Sequence, residues 1–159
     1  MMNTNTYETE NPAAPRLKNR MASPMVWQAM MSLSKSLQAT SLEPSLLELV
    51  KLRASQINRC AFCIDMHFRE AQAKGESADR LYLLDAWAEV DRYSPRERAA
   101  LLWTESLTQL SEEAVSDKVF AAVSAVFSEA EMLELTLAIV IINGWNRFNV
   151  GFRMPPAGA

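Results

Sequence analysis

Glycine is scarce in this chain, with four residues in 159, and histidine occurs only once. So few glycines leave little of the positive-φ backbone that tight hairpins demand, which argues against a β-rich architecture. Long apolar runs are missing too. The most apolar stretch, LTLAIVII at 135–142, falls far short of the ~20 residues that a membrane span requires. Nor is there an excess of positive charge: 16 Lys and Arg against 19 Asp and Glu give a net charge of −3. That balance excludes the basic footprint of a nucleic-acid or anionic-membrane binder. The opening MMNTNTYETENPAAPR has neither a basic start nor an apolar core, so no secretory signal is expected and the cytoplasm is the expected compartment. Thiols there are kept reduced. With only two cysteines in the chain, a close pair then reads as catalytic or metal-binding rather than as a staple.

What is present is helical periodicity and helix punctuation. Residues 1–22 are polar and proline-containing and read as an extended arm. A domain is expected over 23–153, with a short tail at 154–159. Ser23 and Pro24 open a first helix, Pro44 opens a second, and a third begins at Cys60 and stops at Gly75. One or two short helices are expected around SADRLYLLDAWAEV. Ser94 with Glu97, and Ser128 with Glu131, form capping boxes ahead of two more, and SEEAVSDKVFAAVSAVF between them reads as helical. No alternating β-branched run suggests a sheet. The expected fold is all-α, a single-domain bundle. Its last helix, apolar on nearly every side from Met132 to Ile142, belongs either in the middle of the bundle or against another subunit.

The stretch NRCAFCIDMH, residues 58–67, holds both cysteines and the only histidine. At 100° per residue, Cys60, Cys63 and His67 fall within about 60° of one another on a helical wheel. Phe62, Met66 and Ala73 face elsewhere and are expected to supply the core contact. Cys60 lies at the helix start, where unpaired N–H groups and the helix dipole favour an anion. A free thiol has a pKa of ~8.5, and such a position beside a cationic histidine favours the reactive thiolate. A second thiol three positions on can trap the oxidised sulfur as a disulfide. Other readings stay open. Cysteine pairs of this spacing begin many zinc sites, but a closed site needs a fourth ligand, and no further Cys or His exists. No bound metal is expected. A c-type haem needs its histidine directly after the second cysteine, and a thioredoxin-like site needs a βαβ setting. Inert buried cysteines beside a core histidine remain an alternative.

The run LLELVKLRASQINRCAFCIDMHFREAQAKGES, with RLYLLDAWAE and SPRERAALLWTESLT beyond it, resembles the AhpD-like alkylhydroperoxidases of the carboxymuconolactone decarboxylase superfamily. The likeness runs from about Arg16 to Arg153. At its centre is a glutamate twelve residues before a CxxC and a histidine four residues after it: Glu48, Cys60, Cys63 and His67. The resemblance implies an all-helical subunit that assembles into dimers, trimers or hexamers and needs no cofactor. It also implies a dithiol peroxidase whose disulfide is reduced by a lipoylated or thioredoxin-like donor. In that scheme Cys63 attacks the peroxide, Cys60 resolves the sulfenic acid nearer solvent, and Glu48 with His67 relays protons. On its own helical wheel Glu48 shares an arc with Lys51 and Ser55, opposite Leu46, Val50 and Ile57, and reads as a solvated surface glutamate. Only the shared spacing moves it into the site.

Two departures from the family pattern stand out. A well-studied branch carries a second histidine between the cysteines where this chain has Phe62, so peroxidase turnover is expected to be slower or to use a different donor. The superfamily's decarboxylases lack the cysteine pair, which disfavours lactone decarboxylation here. The main alternative is a redox-sensing or disulfide-exchange module without substantial turnover. Trp145, Tyr82 and Trp87 read as core or interface aromatics, Asn146 as a neighbour of the site, and Arg147 as a surface charge.

Overall fold

The computed structural model describes residues 14–111 and 114–156. Residues 1–13 of the expected arm, 157–159 of the tail, and Glu112 and Glu113 lie outside the described residues. Seven α-helices follow in order: α1 Pro24–Ser36, α2 Pro44–Ile57, α3 Ala61–Ala73, α4 Ala78–Tyr82, α5 Pro95–Thr108, α6 Asp117–Ser124 and α7 Glu129–Gly151. Short 3-10 turns cover Leu37–Ala39 and Leu84–Glu89. No strand occurs among the described residues. The fold is the expected single all-α domain.

Local chemistry accounts for most boundaries. Both capping boxes form: the Ser94 and Ser128 hydroxyls accept from the N–H groups of Glu97 and Glu131, whose carboxylates accept from the serine N–H groups in return. Prolines occupy the first positions of α1, α2 and α5. Ser23 takes the N-cap position of α1, but its side chain makes no capping hydrogen bond. Gly75, at φ 93°, ends α3: its N–H reaches Gln72 and that of Glu76 reaches Ala71, the two bonds of a Schellman motif.

The central position belongs to α2 rather than α7. It packs against α3, α5 and α7, and buries Leu46, Leu49, Val50, Leu52 and Ala54. The physical reason is that its polar residues find buried partners, so a helix that reads as amphipathic can be enclosed. One side of α7 joins Leu135, Ala138 and Ile139 to the core with Leu46, Val50 and Trp103. Its other side leaves Leu133 74% and Val140 56% exposed. A second core unites Leu49, Leu52, Leu81, Leu84, Tyr93 and Leu101. The described end of the N-terminal arm runs through bends and a turn and is anchored: Arg16 donates from its backbone to the Phe152 carbonyl at 3.0 Å and from its guanidinium to Gly151 at 2.9 Å.

Helix α1 buries no residue fully and lies over α7 across a cavity. Gly144, inside α7, sits under it. A Cβ there would lie 3.2 Å from Met30 Cε, the flexible tip of a side chain that lines the cavity and can turn aside. Gly144→Ala is therefore expected to stabilise the protein, by about 0.5–1 kcal/mol, through helix propensity. A higher urea midpoint would show this; a lower one would mean that α1 has no room to yield.

Candidate functional site

Cys60 is placed twice over by backbone geometry. Helix α2 ends in a second Schellman motif: Arg59 adopts φ 54°, its N–H reaches Gln56, and the Cys60 N–H reaches Ser55 O at 3.0 Å. Arg59 pays the steric cost of a left-handed non-glycine residue to make this corner. Cys60 is at the same time the N-cap of α3, its sulfur accepting from the Cys63 N–H at 3.3 Å. The two sulfurs are joined as a disulfide, as their shared face at spacing three predicts. Both are buried, Cys60 at 1% and Cys63 at 0% exposure. Cys60 is thus not solvent-facing in this state, although its chain neighbours Arg59 and Ala61 are exposed.

The α3 faces differ from the expected ones, although Phe62 does pack against the cluster of Ala54, Cys60, Cys63 and Ile142. The stripe Cys60, Cys63, His67 and Ala71 is the buried one. Phe62 and Met66 line the cavity and Ala73 is exposed. The reactive stripe is enclosed because α2 and α7 meet it with polar partners as well as with Ala54 and Ile142.

Glu48 is the second correction to the helical wheel. It is 1% exposed, and its Oε2 lies 3.0 Å from His67 Nδ1. Its Oε1 accepts from Lys51 Nζ at 2.7 Å and from Lys74 Nζ. Burial pushes the carboxyl up, but the hydrogen bond from His67 and the two ammonium groups outweigh it and hold the carboxyl at about 2, below its ordinary 4.5. An ionised carboxylate can only accept, so the Nδ1 that faces it carries a proton, and Nε2 is the nitrogen left for proton exchange. Glu70 approaches the same Nδ1 at 3.4 Å, and its carboxyl is lowered, first by that contact with His67.

The four expected residues are thus brought together, in two linked pairs: the disulfide and, one helical turn along α3, the Glu48–His67 pair. Sequence reasoning missed Lys51, Lys74 and Glu70 around the carboxylate, and Asn149, whose Nδ2 donates to Cys63 Sγ at 3.3 Å. The i,i+3 spacings of Glu48 with Lys51 and of His67 with Glu70 were signals for two of them; nothing local marks Lys74 or Asn149. Asn146 does border the site. It donates to Ser55 Oγ at 3.0 Å and accepts from Asn58 at 2.9 Å, tying α7 to the corner before Cys60. Trp145 lines the cavity and donates to Ser34 Oγ at 2.8 Å, whereas Tyr82 is exposed and not a core residue.

The cavity measures roughly 920 Å³. Trp27, Met30, Phe62, Met66, Trp145 and Phe148 give it apolar walls, and Glu48, His67 and Asn149 reach it too. Glu48, His67 and Glu70 offer ligand atoms within 4.8 Å of one another, a set that could hold a cation. Two lysine ammonium groups already contact the Glu48 carboxylate. They supply positive charge at this carboxylate, and a cation there would have to compete with both.

The folded-state value of Glu48 lies below the unfolded one. Ionised Glu48 therefore stabilises the fold above pH 4.5, and that contribution is lost as pH falls from 4.5 through about 2. The stability gap between the wild type and Glu48→Gln is expected to shrink as pH falls below 4.5. Urea midpoints measured across that range check the expectation.

The chain is similar to several known proteins. Residues 24–106 match the model of the carboxymuconolactone decarboxylase family. The chain is 41% identical, over 121 residues, to the uncharacterized protein YdfG of Bacillus subtilis (strain 168), covering 76% of this chain and 82% of that one. A crystal structure from Agrobacterium tumefaciens, of a protein of unknown function proposed to be an antioxidant-defence AhpD, superposes with a TM-score of 0.87 at 39% identity. It covers 92% of this chain and 100% of that one. The AhpD core of a peroxidase-related protein from Ralstonia eutropha JMP134 shares the fold at 18% identity, with a TM-score of 0.76 over 86% of this chain and 73% of that one. A helical fold, a matched family model and a close relative in sequence agree: this chain belongs to the carboxymuconolactone decarboxylase family and has the AhpD-like fold.

Proposed function

We propose that the protein is a dithiol peroxidase, reducing hydrogen peroxide or organic hydroperoxides by cycling Cys60 and Cys63 between dithiol and disulfide. One observation carries the reading: a disulfide one helical turn from a buried, ionised Glu48 that fixes the tautomer of His67. The Agrobacterium relative, proposed to be an AhpD, supports the same assignment. In the reduced protein the Cys63 thiolate attacks the distal peroxide oxygen. An S–O bond forms, the O–O bond breaks, and the leaving oxygen takes from His67 Nε2 the proton that Nε2 had accepted from the Cys63 thiol. The Cys60 thiolate then attacks the Cys63 sulfenic acid, forming the disulfide and expelling hydroxide, which is protonated to water. A lipoylated or thioredoxin-like dithiol returns the pair to its reduced state.

Phe62, in place of a second histidine, favours one alternative: a redox-sensing or disulfide-exchange module with little turnover. Stopped-flow mixing of the reduced protein with cumene hydroperoxide separates the two. The expected outcome is rapid loss of two thiols per chain with an intramolecular Cys60–Cys63 bond, and loss of that reaction in Cys63→Ser. Thiols that persist for minutes in excess peroxide would favour the sensor or exchange reading.

We also propose that the protein works as a homo-oligomer. Leu133 and Val140 on α7, with Met25 at 75% exposure on α1, leave apolar surface on two helices. At ~25 cal/mol per Å² such surface favours burial against a second copy. Sedimentation at micromolar concentration is expected to give a multiple of 17.8 kDa. A monomer that still reduced peroxide would refute the assembly.

A further inference from the structure

Asn149 lies near the end of α7, and among the described residues its side chain makes one side-chain hydrogen bond, from Nδ2 to Cys63 Sγ at 3.3 Å. Cys60 Sγ has a donor of different origin, the Cys63 backbone N–H at the start of α3. One sulfur is thus held by its own helix, the other by a side chain reaching across from another. Asn149 also lines the cavity, together with His67 and Phe62. Cys60 instead adjoins the exposed corner of Arg59 and Ala61.

We propose that Asn149 is a further catalytic residue, its side-chain N–H stabilising negative charge on the Cys63 sulfur and making Cys63 the leaving group when an external dithiol reduces the disulfide at Cys60. The inference rests on the redox role assigned above to the cysteine pair. In the exchange, a donor thiolate forms a bond to Cys60 Sγ. The Cys60–Cys63 bond breaks, and its electron pair passes to Cys63 Sγ beside the Asn149 N–H. The donor's second thiolate attacks its own sulfur in the mixed disulfide, and the electron pair leaves on Cys60. The two protons given up by the donor thiols end on Cys60 and on the Cys63–His67 pair. A neutral disulfide sulfur is a weak acceptor and an anionic one a strong acceptor, so the Asn149 bond strengthens only after cleavage. Asn149, which holds that sulfur, lines the cavity by which peroxide would approach.

The test is an equilibrium that needs no peroxide. The full-length protein is poised in graded mixtures of reduced and oxidised dithiothreitol, and free thiols are counted by alkylation and mass. Asn149→Ala and Asn149→Asp are compared with the wild type, with the fold monitored by circular dichroism. Loss of the N–H is expected to shift the equilibrium about tenfold toward the disulfide, which is about 30 mV for this two-electron couple. Asn149→Asp preserves the shape, lacks the donor and adds negative charge, so it should shift at least as far; it carries the test should the alanine variant unfold. Equilibria within about twofold of wild type would overturn the proposal. A wild type that ignores peroxide while the variants still shift would instead overturn the peroxidase reading and leave the Asn149 effect standing.

Discussion

A carboxylate buried at the centre of a helical bundle is tolerable only if cations or strong donors surround it. Glu48 is such a carboxylate, and three side chains partner it: Lys51 from its own helix, His67 from the middle of α3, and Lys74 from the C-cap of α3. The last two fix more than a charge. They lie seven residues apart on one helix, two turns, and both must reach the same carboxyl group. A slide of α3 along α2 would detach them both and leave a buried anion with Lys51 alone beside it. The register of α3 against α2 is therefore set electrostatically, and the cysteines, carried on the same helix, take their place as a consequence.

A second set of polar contacts fixes the other end of α3. The corner after α2 is closed by backbone bonds to Ser55 and Gln56, and Asn146 grips the corner through Ser55 and Asn58. Asn143 extends the grip, accepting from Asn58 and donating to Thr108 on α5. Three helices thus converge on the residues just before Cys60. Ladders of buried amides suit this task because each satisfies its neighbour, leaving the backbone little freedom to drift. The same face of α7 continues to Asn149, so the helix that clamps the corner also reaches the sulfur of Cys63.

Much of this was legible in the sequence, and the failures have a common cause. Capping boxes, N-terminal prolines and Gly75 act over four or five residues, so the helix boundaries they imply are the ones observed. The stripe of Cys60, Cys63 and His67 is likewise a property of one helix. What a single helix cannot reveal is what faces it. Glu48 reads as solvated because its arc is polar, and it is buried because α3 brings a polar arc to meet it. Phe62 and Met66 read as core because they are apolar, yet both line a cavity, Phe62 while also packing against the cysteine cluster. Asn149 lies 86 residues from Cys63, beyond any local pattern. The twelve-residue spacing of Glu48 from the cysteine pair, known only through the family resemblance, placed Glu48 beside His67, where no pattern within α2 would have put it.

The enclosed character of the site bears on why one histidine can suffice. His67 donates through Nδ1 to a carboxylate that stays ionised at neutral pH, which leaves Nε2 as a single, oriented place for a proton. The cavity beside it is walled by Trp27, Trp145, Phe148 and Phe62. Water is the main competitor for such a proton and the main screen of such charges, and apolar walls limit both effects. Phe62 can then be read in two ways at once. It removes a second base from between the cysteines, and it adds an apolar wall beside the base that remains. Under the peroxidase reading the second effect offsets part of the first, because a drier site makes each remaining charge and hydrogen bond count for more.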